Sequence, residues 1–500
     1  RIIRRSAQLG IDHVLFAPRN TDVSSRDRAT DAWRWEEILW FGLGEAVRAG
    51  TWLPGVDPIP ASLAEMLAYF REQRVKPVAY VYPILAFGAG EPPGNTSTLP
   101  SWIINGSYAA GAGAARLREN HGPLRATLAS VEFQQYIVKA MLDFAEQTGA
   151  GGYSFDYTYF EGHESQYAQW AGWRAILRGL HAANPELVLD NRQLNHAWGP
   201  WMWAAGSYAE PLASDEQPTS WTFFTADLHT DRLSANRQRT VAWSYRNEHF
   251  APMEITSGFA FHQTDRTPPT GLDPVTSEFY TKDFDLLGHR YSLLSSIATG
   301  GLNNVLCDIP ARNASEFDLF PAAARAWIKD WLTWTDDRRA LLTKTRTFAP
   351  APGPATVDGT FAYDAKEGEG VVWLFNPEAR PLPFTLPLGD AMGYDCASSP
   401  LPPAVLISER LNGSCCPSGP TLALVDPCAG GGVNVSVPAA SALVLQLLDA
   451  PLVDLPQLIG SVGTVTLGAG GALAVSGAAG EAGQPARLTV LLPPGAALPS

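Results

Sequence analysis

The feature that most constrains this chain is a repeated alternation of helix-period and strand-period segments across residues 1–345. An amphipathic run at 61–73 (ASLAEMLAYFREQ) precedes a short apolar run at 77–82 (PVAYVY). A second, at 131–148 (VEFQQYIVKAMLDFAEQT), leads through Gly149, Gly151 and Gly152 to YSFDY at 153–157. A third, at 167–183, leads to LVLD at 187–190. Strands are then expected at 208–214 (with Pro211 in the middle), 252–256 and 302–307, and helices at 233–249, 286–298 and 321–334. Apolar residues every three or four positions build a helix with one buried face, whereas short apolar runs build strands. Strands alternating with helices imply right-handed βαβ units and a parallel sheet. With HVLFA at 13–17, seven strands are found. An eighth, expected before Arg1, would complete a (β/α)8 TIM barrel whose first strand is missing from the chain. The competing doubly wound sheet lacks support, because no strand is followed by a GxGxxG or a phosphate-binding glycine loop.

The texture changes after residue 345. Residues 350–354 (PAPGP) mark a domain edge, and short alternating segments follow: FAYDA, VVWLFNP, LPFTLPL, NVSVPAA and ALVLQLL. These predict an antiparallel β-sandwich over 346–450, C-terminal to a barrel domain at 1–345. Residues 451–500 are rich in Gly, Ala and Pro with little charge, and read as a linker or a partial β module.

A hydrophobic share of 46% with 17% charged residues describes a chain with a large core. Its net charge of −14 repels phosphate backbones, so nucleic acid is not an expected partner. No apolar run is long enough to predict a membrane span. Cys396, Cys415, Cys416 and Cys428 crowd one loop-rich stretch without a CxxC spacing, which suits two disulfides better than zinc. Asn95, Asn105, Asn313, Asn412 and Asn434 each begin an N-x-S/T acceptor sequence. Both marks favour a secreted or lumenal protein (extracellular, vacuolar or lysosomal). The opening RIIRRSAQLG reads as helix interior, so the chain is expected to begin inside a longer protein, with any signal peptide upstream.

In a barrel, chemistry sits at the carboxyl ends of the strands and in the loops that follow. The polar residues expected there are Asn20, Asp156, Asp190 with Asn191 and Arg192, Asp215 with Glu216, Glu254 and Asp308. The set is nearly all carboxylate. It contains no HExxH helix, calcium loop or GxSxG elbow, so neither a metal nor a cofactor is expected. Paired carboxylates on a rim suit acetal cleavage, in which one stabilises an oxocarbenium-like state and another protonates the leaving oxygen. Aromatic loops suit a sugar, whose flat faces stack on rings. Trp201 and Trp203 in WGPWMW are read as binding residues, while Trp170 and Trp173, three apart on a helix, are read as core.

The stretch 131–218 resembles the α-galactosidase-like clan of glycoside hydrolases, families 27 and 36. In that clan a helix and a glycine-containing turn precede a fourth strand that ends in the aspartate nucleophile. Here VEFQQYIVKAMLDFAEQTGAGG runs into YSFDYTYF and puts Asp156 in that place. The clan's acid/base aspartate often follows a serine at the end of the sixth strand. LASDEQP offers Asp215 after Ser214, 59 residues from Asp156. The segment VVWLFNPEARPLPFTLPL looks like the sandwich that follows the barrel in these enzymes. Two departures bear on the sugar. The clan's lysine two residues before the nucleophile is Ser154 here, and HVLFAPRN lacks the clan's early carboxylate run.

The resemblance thus implies a retaining α-glycosidase working by double displacement on an oligosaccharide or glycoconjugate. Asp156 would be the nucleophile and Asp215 the acid/base, with Glu210 and Glu254 as rivals for the acid role. Tyr157, Asp190, Arg192, Trp201, Trp203 and Glu254 are the expected substrate-binding residues. Each has a plain alternative: Asp156 bonding its own loop, Asp190 merely pairing with Arg192. A non-catalytic carbohydrate-binding relative and a transglycosylase are the competing functions.

Overall fold

The computed structural model describes residues 2–16, 54–81, 83–84, 101–105, 124–155, 158, 165–191, 204–205, 237, 241, 257–260, 287–298, 303–306, 322–392, 396, 404–410, 421–428, 432–449, 456–468, 472–479 and 488–493. The chain forms two compact units, residues 1–210 with 253–255 and residues 211–252 with 256–500.

The first unit begins with α1 (Ile2–Gln8), β1 (His13–Phe16), α2 (Ala61–Glu72) and β2 (Lys76–Val81). A small antiparallel pair follows, β3 (Ile103–Asn105) with β4 (Leu124–Ala126). Then come α3 (Val131–Thr148), β5 (Gly152–Phe155), α4 (Gln166–Ala183), β6 (Val188–Asn191) and β7 (Ala204–Ala205). Five strands form one sheet in the order β1-β2-β5-β6-β7, every pair parallel. Repeated crossovers of one hand lay strands down in chain order, and among the described strands there is no reversal of the kind that marks a doubly wound sheet. The strand expected at 208–214 lies outside the described residues; β7, slightly earlier in the chain, pairs beside β6.

The helices explain how β5 is held. Ser130 caps α3, its hydroxyl accepting the Phe133 N–H at 3.3 Å. Phe133, Ile137, Met141, Phe144, Ala145 and Thr148 form its buried stripe. Gly149 ends the helix in the left-handed region at φ 72°, where a side chain is disfavoured, and returns its N–H to the Ala145 carbonyl at 2.9 Å. Ser165 caps α4 in the same way, accepting from Ala168 at 3.0 Å. On the inner side of α4, Trp173 is almost fully buried and Gly172 abuts the backbone before α3; a Cβ on Gly172 would stand 1.8 Å from the Leu128 carbonyl oxygen. Helix propensity alone makes Gly→Ala stabilising by about 1 kcal/mol. Here the clash with fixed backbone dominates, and Gly172→Ala is expected to lower the free energy of unfolding by about 1–3 kcal/mol in a denaturant titration.

The second unit opens with residues 237 and 241 in helical conformation, within the helix expected at 233–249. The parallel pair β8 (Ser257–Ala260) and β9 (Asn303–Leu306) flanks α5 (Leu287–Ile297), and α6 (Ala322–Asp337) and α7 (Arg339–Leu342) follow. The described strand thus starts just beyond the one expected at 252–256.

Among the described residues twelve further strands follow in this unit. They are β10 (Arg346–Thr347), β11 (Asp358–Asp364), β12 (Glu369–Asn376), β13 (Leu382–Pro387), β14 (Ala404–Arg410) and β15 (Thr421–Val425), then β16 (Gly432–Val437), β17 (Ser441–Asp449), β18 (Gln457–Ile459), β19 (Val462–Leu467), β20 (Leu473–Ala479) and β21 (Thr489–Leu491). Eight of them form one sheet, β10-β11-β12-β17-β14-β15-β18-β21, antiparallel except where β15 meets β18. The stretch after 451 therefore adds β18 and β21 to the same sheet as 404–449, and folds β19 against β20 as a hairpin.

The continuous apolar run of β12 follows from burial on both faces. Val372 and Leu374 join Phe361, Leu445, Leu447, Leu386 and Val437 in one core. The intervening Trp373 and Phe375 face the helices: Trp373 meets Trp331 and Trp334 at 5.4 and 5.6 Å, and Phe375 meets Tyr291 at 5.1 Å. Beneath them Arg237 is fully buried. Its Nε donates to Asp358 at 2.7 Å, its Nη1 to the Ser295 carbonyl and hydroxyl at 3.3 and 3.2 Å, and its guanidinium lies 3.9 Å from the Phe375 ring centre. Cys396 and Cys428 stand in disulfide geometry, their Cα atoms 5.4 Å apart. Cys415 and Cys416 lie outside the described residues.

Candidate functional site

The parallel register aligns the carboxyl ends of three strands. Val81 pairs with Phe155, which pairs with Asn191. One step deeper, Tyr80, Ser154, Asp190 and Ala205 form a row across the sheet. Strands β5 and β6 therefore end level with each other at one end of the sheet, and Asp156 and Arg192 are the next residue in sequence after each. That is the end at which chemistry gathers in parallel α/β folds.

Strand β5 has two distinct faces. Tyr153 and Phe155 lie on the helix side: Phe155 meets Trp173 edge-on at 4.9 Å and Tyr153 lies 6.1 Å from Phe144. The Tyr153 hydroxyl donates to the Met141 carbonyl, and burial holds its pKa well above the ordinary tyrosine value. Tyr153 thus stays neutral, with its proton committed to the helix. Ser154, fully buried, alternates to the opposite face. The buried Trp173 is a core residue, as its helical spacing suggested.

Beyond the strand, Thr158 is fully buried and its hydroxyl has no hydrogen-bond partner among the described residues. A buried orphan hydroxyl costs about 1–3 kcal/mol, so it is a feature to be explained. Nothing in the sequence around it singles it out; only its burial does.

Of the residues expected from the sequence to form the site, Asp190 is described, as a strand residue level with Ser154 and two positions before Arg192. Asp156, Tyr157, Arg192, Trp201, Trp203, Asp215 and Glu254 lie outside the described residues, as do Asn20, Glu210 and Asp308. Among the described residues no group of three His, Cys, Asp or Glu side chains is placed to hold a metal ion. Nor is any helix among them long and apolar enough to cross a membrane.

No family model matches the chain, and no curated protein matches it. Solved structures do resemble it. The galactosidase domain of alpha-galactosidase-sucrose kinase aligns with 90% of this chain and 51% of its own at 14% identity, with a TM-score of 0.50. The alpha-galactosidase of Lactobacillus brevis aligns with 90% of this chain and 52% of its own at 12% identity and a TM-score of 0.49. A family 36 alpha-galactosidase of Geobacillus stearothermophilus gives 90%, 52%, 13% and 0.48 for the same quantities. The chain spans about half the length of these structures, and its fold is α-galactosidase-like at low identity.

Proposed function

We propose that this chain is a retaining glycoside hydrolase acting on an α-linked glycoside, with the strands of the first 345 residues closing into a (β/α)8 barrel. The observation that carries the reading is the two-faced construction of β5. Tyr153 and Phe155 anchor one face to the helices and Ser154 lies on the other; in sequence Asp156 has the same parity as Ser154. On that side a carboxylate at a strand end addresses the rim of the barrel rather than its wall. The α-galactosidase-like fold supports the same assignment.

In this reading the Asp156 carboxylate attacks the anomeric carbon while Asp215, protonated, gives its proton to the departing glycosidic oxygen. The bond to the leaving group breaks as the bond to Asp156 forms, and the sugar is held as an ester of inverted configuration. Asp215, now ionised, removes a proton from water. The water displaces Asp156 and restores the original anomer. Asp190 and Arg192 bind substrate hydroxyls beside Tyr157 and Glu254, and Trp201 and Trp203 offer their faces to the sugar. Ser154, standing where the clan has lysine, removes a cationic donor to the ring hydroxyls, so the preferred sugar is expected to differ from galactose. The disulfide at Cys396–Cys428 suits a secreted or lumenal setting.

The test is a panel of aryl α-glycosides followed by proton NMR from the first minutes of turnover. The expected first product is the α-anomer, which then mutarotates. Release of the β-anomer first would indicate inversion, and no release from any member would favour a non-catalytic binding protein.

A further inference from the structure

The structure assigns Asn434 as an N-glycan acceptor whose glycan guards the exposed strand β16. Asn434 and Ser436, first and third residues of the acceptor sequence NVS, are both exposed and lie two apart on one strand, hence on the same face. The Asn434 side chain accepts the Thr385 hydroxyl at its Oδ1, 2.8 Å away, which turns the carbonyl toward β13 and leaves Nδ2 to carry the substituent. Val435 between them is partly covered and packs on the sandwich core, so a glycan on the outer face disturbs no buried contact.

The strand also needs a guard. Among the described residues β13 and β16 form a two-stranded sheet of their own. Exposed strand edges recruit other strands unless prolines, charges or a covering group prevent it. β13 (LPFTLP) carries two prolines, Pro383 and Pro387, which remove backbone donors. β16 (GVNVSV) has neither proline nor charge and is rich in valine, the composition of an aggregation-prone segment. A bulky hydrophilic glycan on Asn434 supplies the missing protection. The Cys396–Cys428 pair in the same unit suits the oxidising compartment in which this modification occurs.

The chemistry is transfer from a lipid-linked oligosaccharide diphosphate. A bond forms from Asn434 Nδ2 to the sugar's anomeric carbon, the bond from that carbon to the diphosphate oxygen breaks, the amide loses a proton to a base, and lipid diphosphate leaves.

The test uses the whole chain secreted from a eukaryotic host, digested with peptide-N-glycosidase in heavy-oxygen water before peptide mapping. Conversion of most of Asn434 to labelled aspartate is expected, with loss of the label in Ser436→Ala and its retention in Ser436→Thr. Recovery of the peptide with unmodified asparagine would overturn the assignment. Removing the glycan enzymatically from the folded protein is expected to speed its aggregation severalfold. An unchanged rate would overturn the guarding role.

Discussion

Replacing Asp156 by asparagine is expected to lower kcat about 10⁴-fold or more, equivalent to roughly 5 kcal/mol of transition-state stabilisation. The amide is nearly the same size as the carboxylate, so the substitution changes charge and hardly changes volume. In the proposed mechanism what is lost is the negative charge that attacks the anomeric carbon and steadies the oxocarbenium-like state. Thermal unfolding of the variant should match the parent closely, which separates lost chemistry from lost fold. The smaller Asp156→Gly variant offers a second readout. With azide added, the small anion occupies the space of the missing carboxylate, and an activated α-glycoside should yield the β-glycosyl azide. Full turnover by Asp156→Asn, measured as release of the aryl group, would remove Asp156 from the mechanism.

Arg237→Met carries the largest expected effect on stability, a loss of roughly 3–5 kcal/mol from the second unit. The substitution keeps the length and apolar contact of the side chain against Phe375 but leaves Asp358 buried without its cation, losing the 2.7 Å bond. Burial already pushes the Asp358 carboxyl above the ordinary aspartate value, with Arg237 pulling in the opposite direction. The sign follows. For an acid whose folded-state pKa is raised, the stabilising contribution is complete below the unfolded pKa and is lost as pH rises through the folded one. Without Arg237 that pKa rises further. The variant's deficit should therefore be greatest at neutral pH and shrink under acid conditions, where Asp358 takes up a proton. The double variant Arg237→Met with Asp358→Leu removes the uncompensated charge and is expected to recover most of the loss in a denaturant titration at neutral pH.

Where the sequence was easy to read, local physics was strong. The stripe from Phe133 to Thr148 follows helical spacing between Ser130 and Gly149, and the structure forms α3 between those two residues. The run VVWLF of β12 and the alternation of LPFTLP and NVSV gave strands in place. Other elements carried no such signal. β18 and β21 lie in a glycine- and alanine-rich stretch that resembles a tether, and they are held by pairing with β15 and with each other. The hairpin of β3 and β4 consists of three-residue strands too short to show a period. Arg237 and Asp358 are 121 residues apart, so their pairing follows from the packing of helix against sheet and from nothing local. For the candidate site, the position of Asp156 after a glycine turn and an apolar strand was legible. Which face of β5 packs on the helices was not, because in a parallel sheet covered on both sides the alternation of Tyr153 and Phe155 with Ser154 does not by itself say which set meets the helices. It took the contacts of Tyr153 and Phe155 with α3 and α4 to distinguish them.

The most direct test is to trap the covalent intermediate. The chain is incubated with an activated α-configured fluorosugar matching a hexose turned over in the panel, and then mapped by peptide mass spectrometry. A single sugar adduct on the peptide carrying Asp156, formed at the rate at which activity disappears, is the expected result. Turnover of α-glycosides with no adduct, or an adduct on another carboxylate such as Asp190 or Glu210, would contradict Asp156 as the nucleophile.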